Sequence, residues 1–282
     1  MNLAPIVLFV YNRPQHTLKT LEALMQNELA EKSELFIYCD GPKPNAKKED
    51  LDKIDAVHTI ILKKQWCKKV HIIKAEVNKG LANSIVAGVT EIVNRYGKII
   101  VLEDDIVTSK GFLRYMNEAL NLYENEPKIM HIGSYLPYTN SHKKLPETFL
   151  SRFMSCWGWA TWKDRWDYYE KNPKSLINEF NSEMVKKFDL NESGIFWRQI
   201  IANATQEKDY NRRNIYDPTI TGDTEYGYRG DARGQGGTRA DGGEKVPFFN
   251  ALLKTPLTKL SIFKASNELI ESKFSRVLDV KL

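Results

Sequence analysis

Three carboxylates stand side by side in this chain, at Glu103, Asp104 and Asp105, and they directly follow four aliphatic residues, 99–102. An unbroken aliphatic run of this length is typical of a strand that is buried on both faces of a sheet. Ligands of open α/β sheets bind at the carboxyl ends of the strands. Carboxylate oxygens suit Mg²⁺ or Mn²⁺, and these ions are commonly shared with substrate phosphates. The pattern predicts a divalent-metal site for a diphosphate, and a solvated acidic turn is the structural alternative.

Within the triplet, distance from the strand suggests separate roles. Side chains alternate along a strand, so Glu103 and Asp105 would share one side if the extended backbone continued. We expect Asp105 to coordinate the metal because it lies farthest beyond the sheet edge. Asp104 is expected to reach a ribose or a metal-bound water. A metal in this position would offset the charge that develops as a nucleoside diphosphate leaves, which is Lewis-acid catalysis of group transfer.

Polar residues also mark the ends of predicted strands that come earlier in the chain. Tyr11 offers a ring that could stack on a base, Asn12 shares its turn, and Arg13 offers a fork for phosphate. Asp40 follows the second strand and is an acceptor for a donor group of a base or ribose. Lys79 and the backbone N–H groups around it precede a helix and could face a diphosphate. Each residue also fits an ordinary strand-end or helix-start role, but their recurrence at successive strand ends favours a nucleotide pocket.

The elements that must position these residues alternate between strand and helix patterns, and this alternation predicts a mainly parallel sheet. Short aliphatic runs predict strands at 5–11, 35–39, 70–73 and 99–102. Helical spacing of apolar residues predicts helices at 15–26, 47–64, 81–95 and 110–124. From residue 130 onward the regular alternation stops. The expected architecture is an α/β, Rossmann-like sheet flanked by helices, with an irregular carboxyl-terminal region.

Composition indicates a globular protein, with 27% charged and 11% aromatic residues. No apolar run reaches the roughly 18 residues that a membrane-spanning helix needs, and the amino terminus leads into a strand without a basic segment, so no signal peptide is expected. The three widely spaced cysteines, Cys39, Cys67 and Cys156, fit a reduced cytoplasm. Despite the net charge of +5, no nucleic-acid-binding motif is present, and we expect no nucleic-acid partner.

The last third of the chain has two unusual segments. Residues 222–243 hold eight of the sixteen glycines, which predicts a mobile loop because so little apolar area is available for burial. Residues 245–282 carry seven basic and three acidic residues among apolar ones. Such a tail could lie on the inner face of an anionic membrane as a peripheral contact. The alternative is that its apolar residues pack on the sheet and complete the core.

Four of the six tryptophans lie within residues 152–166. At this density tryptophans are commonly core residues. Amphipathic rings beside flexible backbone, as in Trp157 and Trp159 around Gly158, are also suitable platforms for a sugar. Arg152 and Arg165 in the same stretch are candidates for anion or hydroxyl contacts. Both interpretations of the stretch stay open from the sequence.

Four segments, 5–14, 35–41, 101–112 and 157–166, resemble GT-A fold glycosyltransferases, and more narrowly the bacterial family-2-like sugar transferases and the N-acetylglucosaminyltransferase I group. The resemblance covers roughly residues 4–210. It implies a GT-A domain at 1–215, with a nucleotide-binding half at 1–110 and an acceptor half at 111–215. The glycine-rich loop at 216–245 and the basic apolar tail at 246–282 would follow.

The resemblance also implies roles for individual residues. Asp40 would bind the nucleotide base, the Glu-Asp-Asp triplet would be a version of the DXD motif that holds Mn²⁺ or Mg²⁺ through Asp105, and the aromatic Gly158-Trp159 segment would shape the donor and acceptor site. The expected nucleotide-sugar-binding residues are Tyr11, Asn12, Arg13, Asp40, Lys79, Glu103, Asp104 and Trp159.

Inverting members of this group use a carboxylate as general base beyond the Gly-Trp segment. Here the nearest match is Asp209, with Glu207 as the alternate. Asp223 and Asp164 are next in line. The strands that usually follow in the family are not recognisable, since the glycine-rich loop stands in their place.

The expected activity is metal-dependent transfer of a sugar from a nucleotide-sugar, UDP-linked in the first instance, to a glycan or lipid-linked acceptor in surface polysaccharide synthesis. Two alternatives belong to other classes. A nucleotidyltransferase could use a similar sheet and metal, although the first strand turn lacks a glycine-rich, basic phosphate loop. A non-catalytic glycan-binding protein would result if the altered carboxyl-terminal region had lost the base.

Overall fold

The computed structural model describes residues 2–135, 148–151, 154–169, 172–189, 194, 196–205 and 260–264. The strands in this part of the chain are β1 (Ile6–Val10), β2 (Glu34–Cys39), β3 (Lys69–Lys74), β4 (Lys98–Glu103), β5 (Ile129–Gly133), β6 (Thr148–Ser151), β7 (Trp159–Trp162) and β8 (Leu260–Lys264). The helices are α1 (Pro14–Met25), α2 (Lys48–Leu62), α3 (Leu81–Tyr96), α4 (Phe112–Leu122), α5 (Lys163–Trp166), α6 (Pro173–Glu179), α7 (Ser182–Phe188) and α8 (Phe196–Thr205). All eight elements predicted up to residue 124 are present, and their ends agree with the prediction to within two residues.

The strands form one sheet in the order β3-β2-β1-β4-β7-β5-β8-β6. The first four strands in this order are mutually parallel, so their carboxyl ends meet at one edge. Strand β7 is antiparallel to both β4 and β5, whereas β8 is parallel to β5 and antiparallel to β6. The predicted α/β class, with a mainly parallel sheet in its amino-terminal half and flanking helices, is confirmed.

The central strands are aliphatic because both faces of the sheet are covered. In β1, Ile6 and Leu8 belong to one buried cluster, which α1, α2 and α4 complete. Val7 and Phe9 point to the opposite face and join the cluster formed with α3 and α5. Side chains on a strand alternate between faces, so a strand between two helical layers needs apolar residues at every position. This is the pattern from which β1 and β4 were predicted.

Beyond residue 130 the regular strand–helix alternation ends, as predicted, but the chain adds four more strands to the sheet. Strands β5 to β8 are only four or five residues long, and their composition is partly polar and aromatic, which is why no strand pattern identified them. Strand β8 comes from the basic apolar tail and lies between β5 and β6. These five residues of the tail therefore pair with the sheet, and the rest of the tail lies outside the described residues, so the choice between packing on the sheet and contact with a membrane stays a prediction.

Helices α6 to α8 carry a small separate core of aromatic and aliphatic side chains around Ile200. Asp189, at the end of α7, is 5% exposed. Its carboxylate accepts hydrogen bonds from the backbone N–H groups of Gly194, Phe196 and Trp197. A carboxylate at this position satisfies N–H groups that lack partners at the start of a helix, so Asp189 fixes where α8 begins.

No helix among the residues that the structure describes is long and apolar enough to cross a membrane.

The buried His131 makes stability depend on pH. It lies on β5 at 3% exposure, stacks on Trp159 with ring centroids 5.8 Å apart, and its Nε2 lies 3.1 Å from the carbonyl oxygen of Ser155. Burial lowers the pKa of His131 to about 3. Below the unfolded value of about 6.5, the unfolded chain binds a proton that the folded chain does not. This contribution to stability is therefore lost as the pH falls from about 6.5 towards 3.

We predict that His131→Gln, which keeps a donor to Ser155 but cannot titrate, removes this pH dependence. Between pH 6.5 and 5 the free energy of unfolding of wild type should fall relative to the variant by up to about 1.4 kcal/mol per pH unit. Urea denaturation at several pH values measures the difference. Burial also lowers the pKa of His58, on the partly exposed face of α2, so His58→Gln is the comparison variant and should remove less of the pH dependence than His131→Gln. Equal slopes for wild type and His131→Gln would contradict the prediction.

Candidate active site

Arg13 joins the ends of two neighbouring strands. It immediately precedes α1, and its guanidinium group reaches the turn that follows β4. There Nε and Nη2 donate hydrogen bonds to Asp104, and Nη1 donates to Asp105 at 3.0 Å. The side chain of Asp104 is 5% exposed, that of Asp105 is 16% exposed, and that of Arg13 is 30% exposed. One cation is thus shared by two carboxylates of the acidic triplet.

The backbone of the triplet turns immediately after β4. Glu103 is the last residue of the strand and pairs with Phe9 of β1, and the Ile106 N–H then donates to the Glu103 carbonyl oxygen at 3.1 Å. The extended backbone that would have aligned Glu103 with Asp105 therefore does not continue. Instead, the turn brings Asp104 and Asp105 to the same guanidinium group.

Asp104 is a buried member of this group. Its carboxylate receives two of the bonds from Arg13, and its carbonyl oxygen accepts a hydrogen bond from the Thr20 hydroxyl at 2.9 Å. Burial raises the pKa of Asp104 to about 6, and the neighbouring Arg13 opposes that rise. The predicted contact of Asp104 with a ribose or a metal-bound water stays a prediction, and these contacts give the residue a structural role in addition.

Asp105 has the chemistry of a divalent-metal ligand. One of its oxygens accepts from Arg13, and its partial exposure leaves the carboxylate accessible at the carboxyl edge of the sheet. No group of three His, Cys, Asp or Glu side chains that could hold a metal occurs among the described residues. Mg²⁺ in nucleotide-dependent enzymes commonly binds one or two carboxylates and completes its coordination with substrate phosphates and water. Asp105 could therefore serve as the protein ligand of a divalent cation whose other ligands are substrate phosphates and water.

Asp40, at the end of β2, is bound on both oxygens by the segment that precedes α3. Oδ1 accepts from the backbone N–H groups of Gly41 and Lys79, and Oδ2 accepts from the Gly80 N–H and the Asn78 side-chain amide, at 2.8–3.0 Å. A carboxylate has about four lone-pair sites, and all four are used here. The predicted role of Asp40 in base recognition stays untested, but its contacts make it the residue that ties two loops together.

The same two loops touch through their backbones. A Cβ at Gly41 would lie 2.6 Å from the backbone carbonyl carbon of Val77, so only glycine allows this approach. The Asn78 N–H donates to the Pro42 carbonyl oxygen at 3.1 Å. The side chain of Lys79 is exposed while its N–H is bound to Asp40. The predicted contact of Lys79 with a diphosphate is therefore left to its side chain.

Tyr11 and Asn12 face α2 across the carboxyl end of β1. The Asn12 side-chain amide lies 3.4 Å from the Asp50 carboxylate in the first turn of α2. Burial raises the pKa of Tyr11, and a hydrogen bond between its hydroxyl and the backbone N–H of Lys43 opposes that rise. The ring of Tyr11 is therefore fixed between β1 and the β2–α2 loop. Sequence reasoning identified Tyr11 and Asn12 and missed Asp50, which looked like one of several acids on a polar helix.

Trp159 is 2% exposed and lies within the core, so its ring is not accessible to a ligand. It starts β7, pairs with Val101 of β4, and its ring lies between those of His131 and Trp166. The prediction that Trp159 binds the nucleotide-sugar is thus corrected. The resemblance pointed to the Gly-Trp segment, but the strand pairing turns that tryptophan away from solvent.

The accessible aromatic surface of this segment is formed by Trp157 and Tyr135. Their ring centroids lie 4.4 Å apart, and Tyr135 is 37% exposed. Gly158 has a φ of +70°, and a Cβ there would lie 2.6 Å from Ser134 Oγ and 3.5 Å from Ile106 Cγ2. Gly158 thus packs against Ile106, the residue that follows Asp105, and Trp157 directly precedes Gly158 in the chain.

Two other candidates lie away from the site. Arg165 is 6% exposed. It donates hydrogen bonds to the backbone carbonyl oxygens of four residues, Tyr123, Glu124, Glu126 and Ile129. Arg165 therefore holds a loop, and the prediction that it contacts an anionic ligand is corrected. Asp164 adjoins the end of β7 that pairs with Lys98, at the start of β4. It therefore lies at the opposite edge of the sheet from Asp105, which removes it as an alternative base.

The predicted general base and its alternate, Asp209 and Glu207, lie outside the described residues, as does Arg152. His16, which the sequence analysis did not single out, is close enough to Arg13 and Asp105 for their charges to affect its pKa. It lies one helical turn after Arg13 on α1, and its pKa is lowered by burial and by the charge of Arg13, against the opposing effect of Asp105. The proximity of His16 to Arg13 and Asp105 is visible only in the tertiary structure.

No protein-family model matches this chain, and a search of curated proteins also finds no match. Solved structures with a similar arrangement include a mannosyltransferase from Pyrobaculum calidifontis in complex with GDP-mannose and Mn²⁺, at 9% identity and a TM-score of 0.42. Others are glucosyl-3-phosphoglycerate synthase from Mycobacterium tuberculosis with Mn²⁺, UDP and glucosyl-3-phosphoglycerate, at 10% identity and 0.36, and a UDP-glucose pyrophosphorylase with UDP-glucose, at 9% and 0.36.

These alignments cover 58%, 58% and 59% of this chain, and 45%, 58% and 78% of the respective matched chains. The chain thus spans about half the length of the first two.

We predict that Arg13→Met destabilises the fold by about 2–3 kcal/mol, because it leaves the buried Asp104 carboxylate without its cationic partner. Arg13→Lys should lose less, since it keeps the charge but not the fork. Urea denaturation at neutral pH measures both. Arg114→Met is the matched control, because Arg114 pairs with Glu118 on the exposed side of α4, and it should change stability little. A similar stability for Arg13→Met and Arg114→Met would contradict the assigned role.

Proposed function

We propose that this protein is a GT-A glycosyltransferase that transfers a sugar from a nucleotide donor to a glycan or glycolipid acceptor. The observation that carries the proposal is the meeting of Arg13 and Asp105 at the carboxyl ends of β1 and β4. A cationic fork and a partly exposed carboxylate are thereby held at the edge of the sheet where nucleotides bind in open α/β folds. UDP-linked sugars are the first donors to test.

On this proposal the donor lies along the ends of β2, β1 and β4. The base lies beside Tyr11, and the diphosphate lies near Arg13 and Asp105. A divalent cation held by Asp105 would supply Lewis-acid stabilisation of the departing nucleoside diphosphate. Arg13 keeps the Asp105 carboxylate in place and adds positive charge next to it, so the phosphate group meets a site that is already oriented.

The transferred sugar would lie against the aromatic pair of Tyr135 and Trp157. Trp157 directly precedes Gly158, which packs closely against Ile106, the residue after Asp105, and the ring of Tyr135 lies against that of Trp157. Partly exposed aromatic rings offer an apolar face to the C–H groups of a sugar while their polar atoms can bind its hydroxyls. The pair takes the role that the sequence had assigned to Trp159.

Inversion at the anomeric carbon requires a base on the side opposite the leaving diphosphate. Asp209, with Glu207 as the alternate, remains the proposed base, and both lie outside the described residues. A positioned carboxylate would remove the proton from the acceptor hydroxyl as that oxygen attacks the sugar. Helix α8 ends at Thr205, four residues before Asp209 in the chain.

We predict that Asp105→Asn abolishes Mn²⁺-dependent binding of the donor while the melting temperature stays close to that of wild type. The amide can still accept a hydrogen bond from Arg13, but it lacks the anionic charge that a hard cation requires. Titration calorimetry of UDP with and without Mn²⁺ tests this, and Asp55→Asn on the exposed side of α2 is the charge-matched control. If Asp105→Asn keeps the metal dependence, Asp105 is not the metal ligand.

We predict that Asp209→Asn lowers turnover by about 10²–10⁴, the usual contribution of a general base, with little change in donor affinity. Release of nucleoside diphosphate from a panel of donors with Mn²⁺ and glycan acceptors measures turnover. Glu207→Gln is the paired variant, and loss of activity in that variant alone would move the base to Glu207. Release of pyrophosphate from a sugar phosphate and a nucleoside triphosphate would indicate the nucleotidyltransferase alternative instead.

A further inference from the structure

We propose that Asp50 and Asn12 form the pair that reads the nucleobase, and that they select a base carrying an N–H group next to a carbonyl group. This inference rests on the proposed nucleotide-sugar site and deepens it, because it names the class of base. It also assigns base recognition to a different carboxylate from Asp40, the residue that the family resemblance implies.

The first step is that Asp40 is already fully bonded. Four donors within the protein occupy its two oxygens, three of them from the segment 78–80. A base that replaced any of them would leave a backbone N–H or the Asn78 amide without its partner, which costs about 1–3 kcal/mol when the group is buried. Asp40 is therefore a positioning residue that holds the segment before α3 against the end of β2.

The second step is that Asp50 offers what Asp40 does not. It lies in the first turn of α2 and is partly exposed. Among the described residues, its one recorded side-chain hydrogen bond is the 3.4 Å contact with Asn12. The Asn12 amide nitrogen carries two N–H groups, so one can remain on Asp50 while the other is donated to a ligand. The pair thus presents an acceptor and a donor side by side.

The third step is the orientation of Tyr11. Its hydroxyl is hydrogen-bonded to the Lys43 backbone N–H, and Asp50 and Asp40 are both near enough to influence its pKa. Tyr11 directly precedes Asn12 at the carboxyl end of β1, and we place its ring on the same side of the site as the Asn12–Asp50 pair. A base that stacks on this ring brings its polar edge towards that pair, which supplies both the apolar surface and the hydrogen bonds that recognition needs.

The chemistry of the pair selects among bases. A carboxylate only accepts hydrogen bonds, so Asp50 matches a ring N–H, and the adjacent carbonyl oxygen of the base matches the donor on Asn12. Uracil, thymine and guanine carry a ring N–H beside a carbonyl group. Adenine and cytosine instead carry an unprotonated ring nitrogen beside an amino group. Their ring nitrogen would place an acceptor against the Asp50 carboxylate, and their amino group would place a donor against the N–H of Asn12.

The experiment is titration calorimetry of the full chain with UDP, GDP, CDP and ADP in the presence of Mn²⁺. We expect wild type to bind UDP or GDP at least about tenfold more tightly than both CDP and ADP, as expected for a matched pair of hydrogen bonds. Asp50→Asn should reduce this preference to less than about threefold, mainly because its affinity for the preferred nucleotide is lower. Asp52→Asn, on the exposed side of the same helix, removes an equal charge and should keep the preference.

Asp40→Asn distinguishes positioning from recognition. We expect this variant to have a lower melting temperature and a lower affinity for all four nucleotides. Because the four affinities should fall by similar factors, the preference among the nucleotides should be kept. The proposal is overturned if Asp50→Asn retains the wild-type preference, if Asp40→Asn loses the preference at an unchanged melting temperature, or if wild type does not discriminate. Complete absence of nucleotide binding by wild type would overturn the proposed function itself, and the base-reading pair with it.

Discussion

The site depends on the bonds that Arg13 makes to Asp104 and Asp105. Strand β4 delivers a carboxylate, Asp104, into a position where only 5% of its side chain is exposed, and a charge at such a position needs a partner. The guanidinium fork supplies two bonds to Asp104 and one to Asp105 from the neighbouring strand end. The ends of β1 and β4 are thereby held together, and Thr20 adds a bond from α1 to the Asp104 carbonyl oxygen.

Two pairs of acids at this edge share an arrangement, one pair in the turn after β4 and the other at the end of β2 and the start of α2. In each pair, the protein binds both oxygens of the inner acid, whereas the outer acid is only partly bonded. Asp104 and Asp40 are the inner acids, and they tie Arg13 and the segment 78–80 to the sheet. Asp105 and Asp50 are the outer acids, beside Arg13 and Asn12. We infer that the inner acids build the edge and the outer acids meet the ligand, one at the diphosphate and one at the base.

The second half of the chain supports this edge from the other side of β4. Strand β7 is antiparallel to β4, so the residues that precede Trp159 reach the same edge as the acidic turn. Gly158, with its positive φ and its lack of a side chain, lets the backbone approach Ser134 and Ile106. Tryptophan at 159 then closes the core while Trp157 and Tyr135 remain partly exposed. Adjacent residues of one short segment thus divide between the buried core and a partly exposed aromatic surface.

The sequence by itself determined the first eight elements and the position of the acidic triplet at the end of β4, because aliphatic runs and helical spacing are local patterns that depend only on near neighbours along the chain. It also singled out Tyr11, Asn12 and Arg13 as candidates from their place after β1, and their role in binding stays a prediction. Only the tertiary structure decided which acids are fully bonded within the protein, since three of the four donors that occupy Asp40 come from about forty residues further along the chain. The burial of Trp159 was likewise decided by its pairing with β4 and by a histidine on β5, contacts between residues that are distant in sequence and that no local pattern encodes.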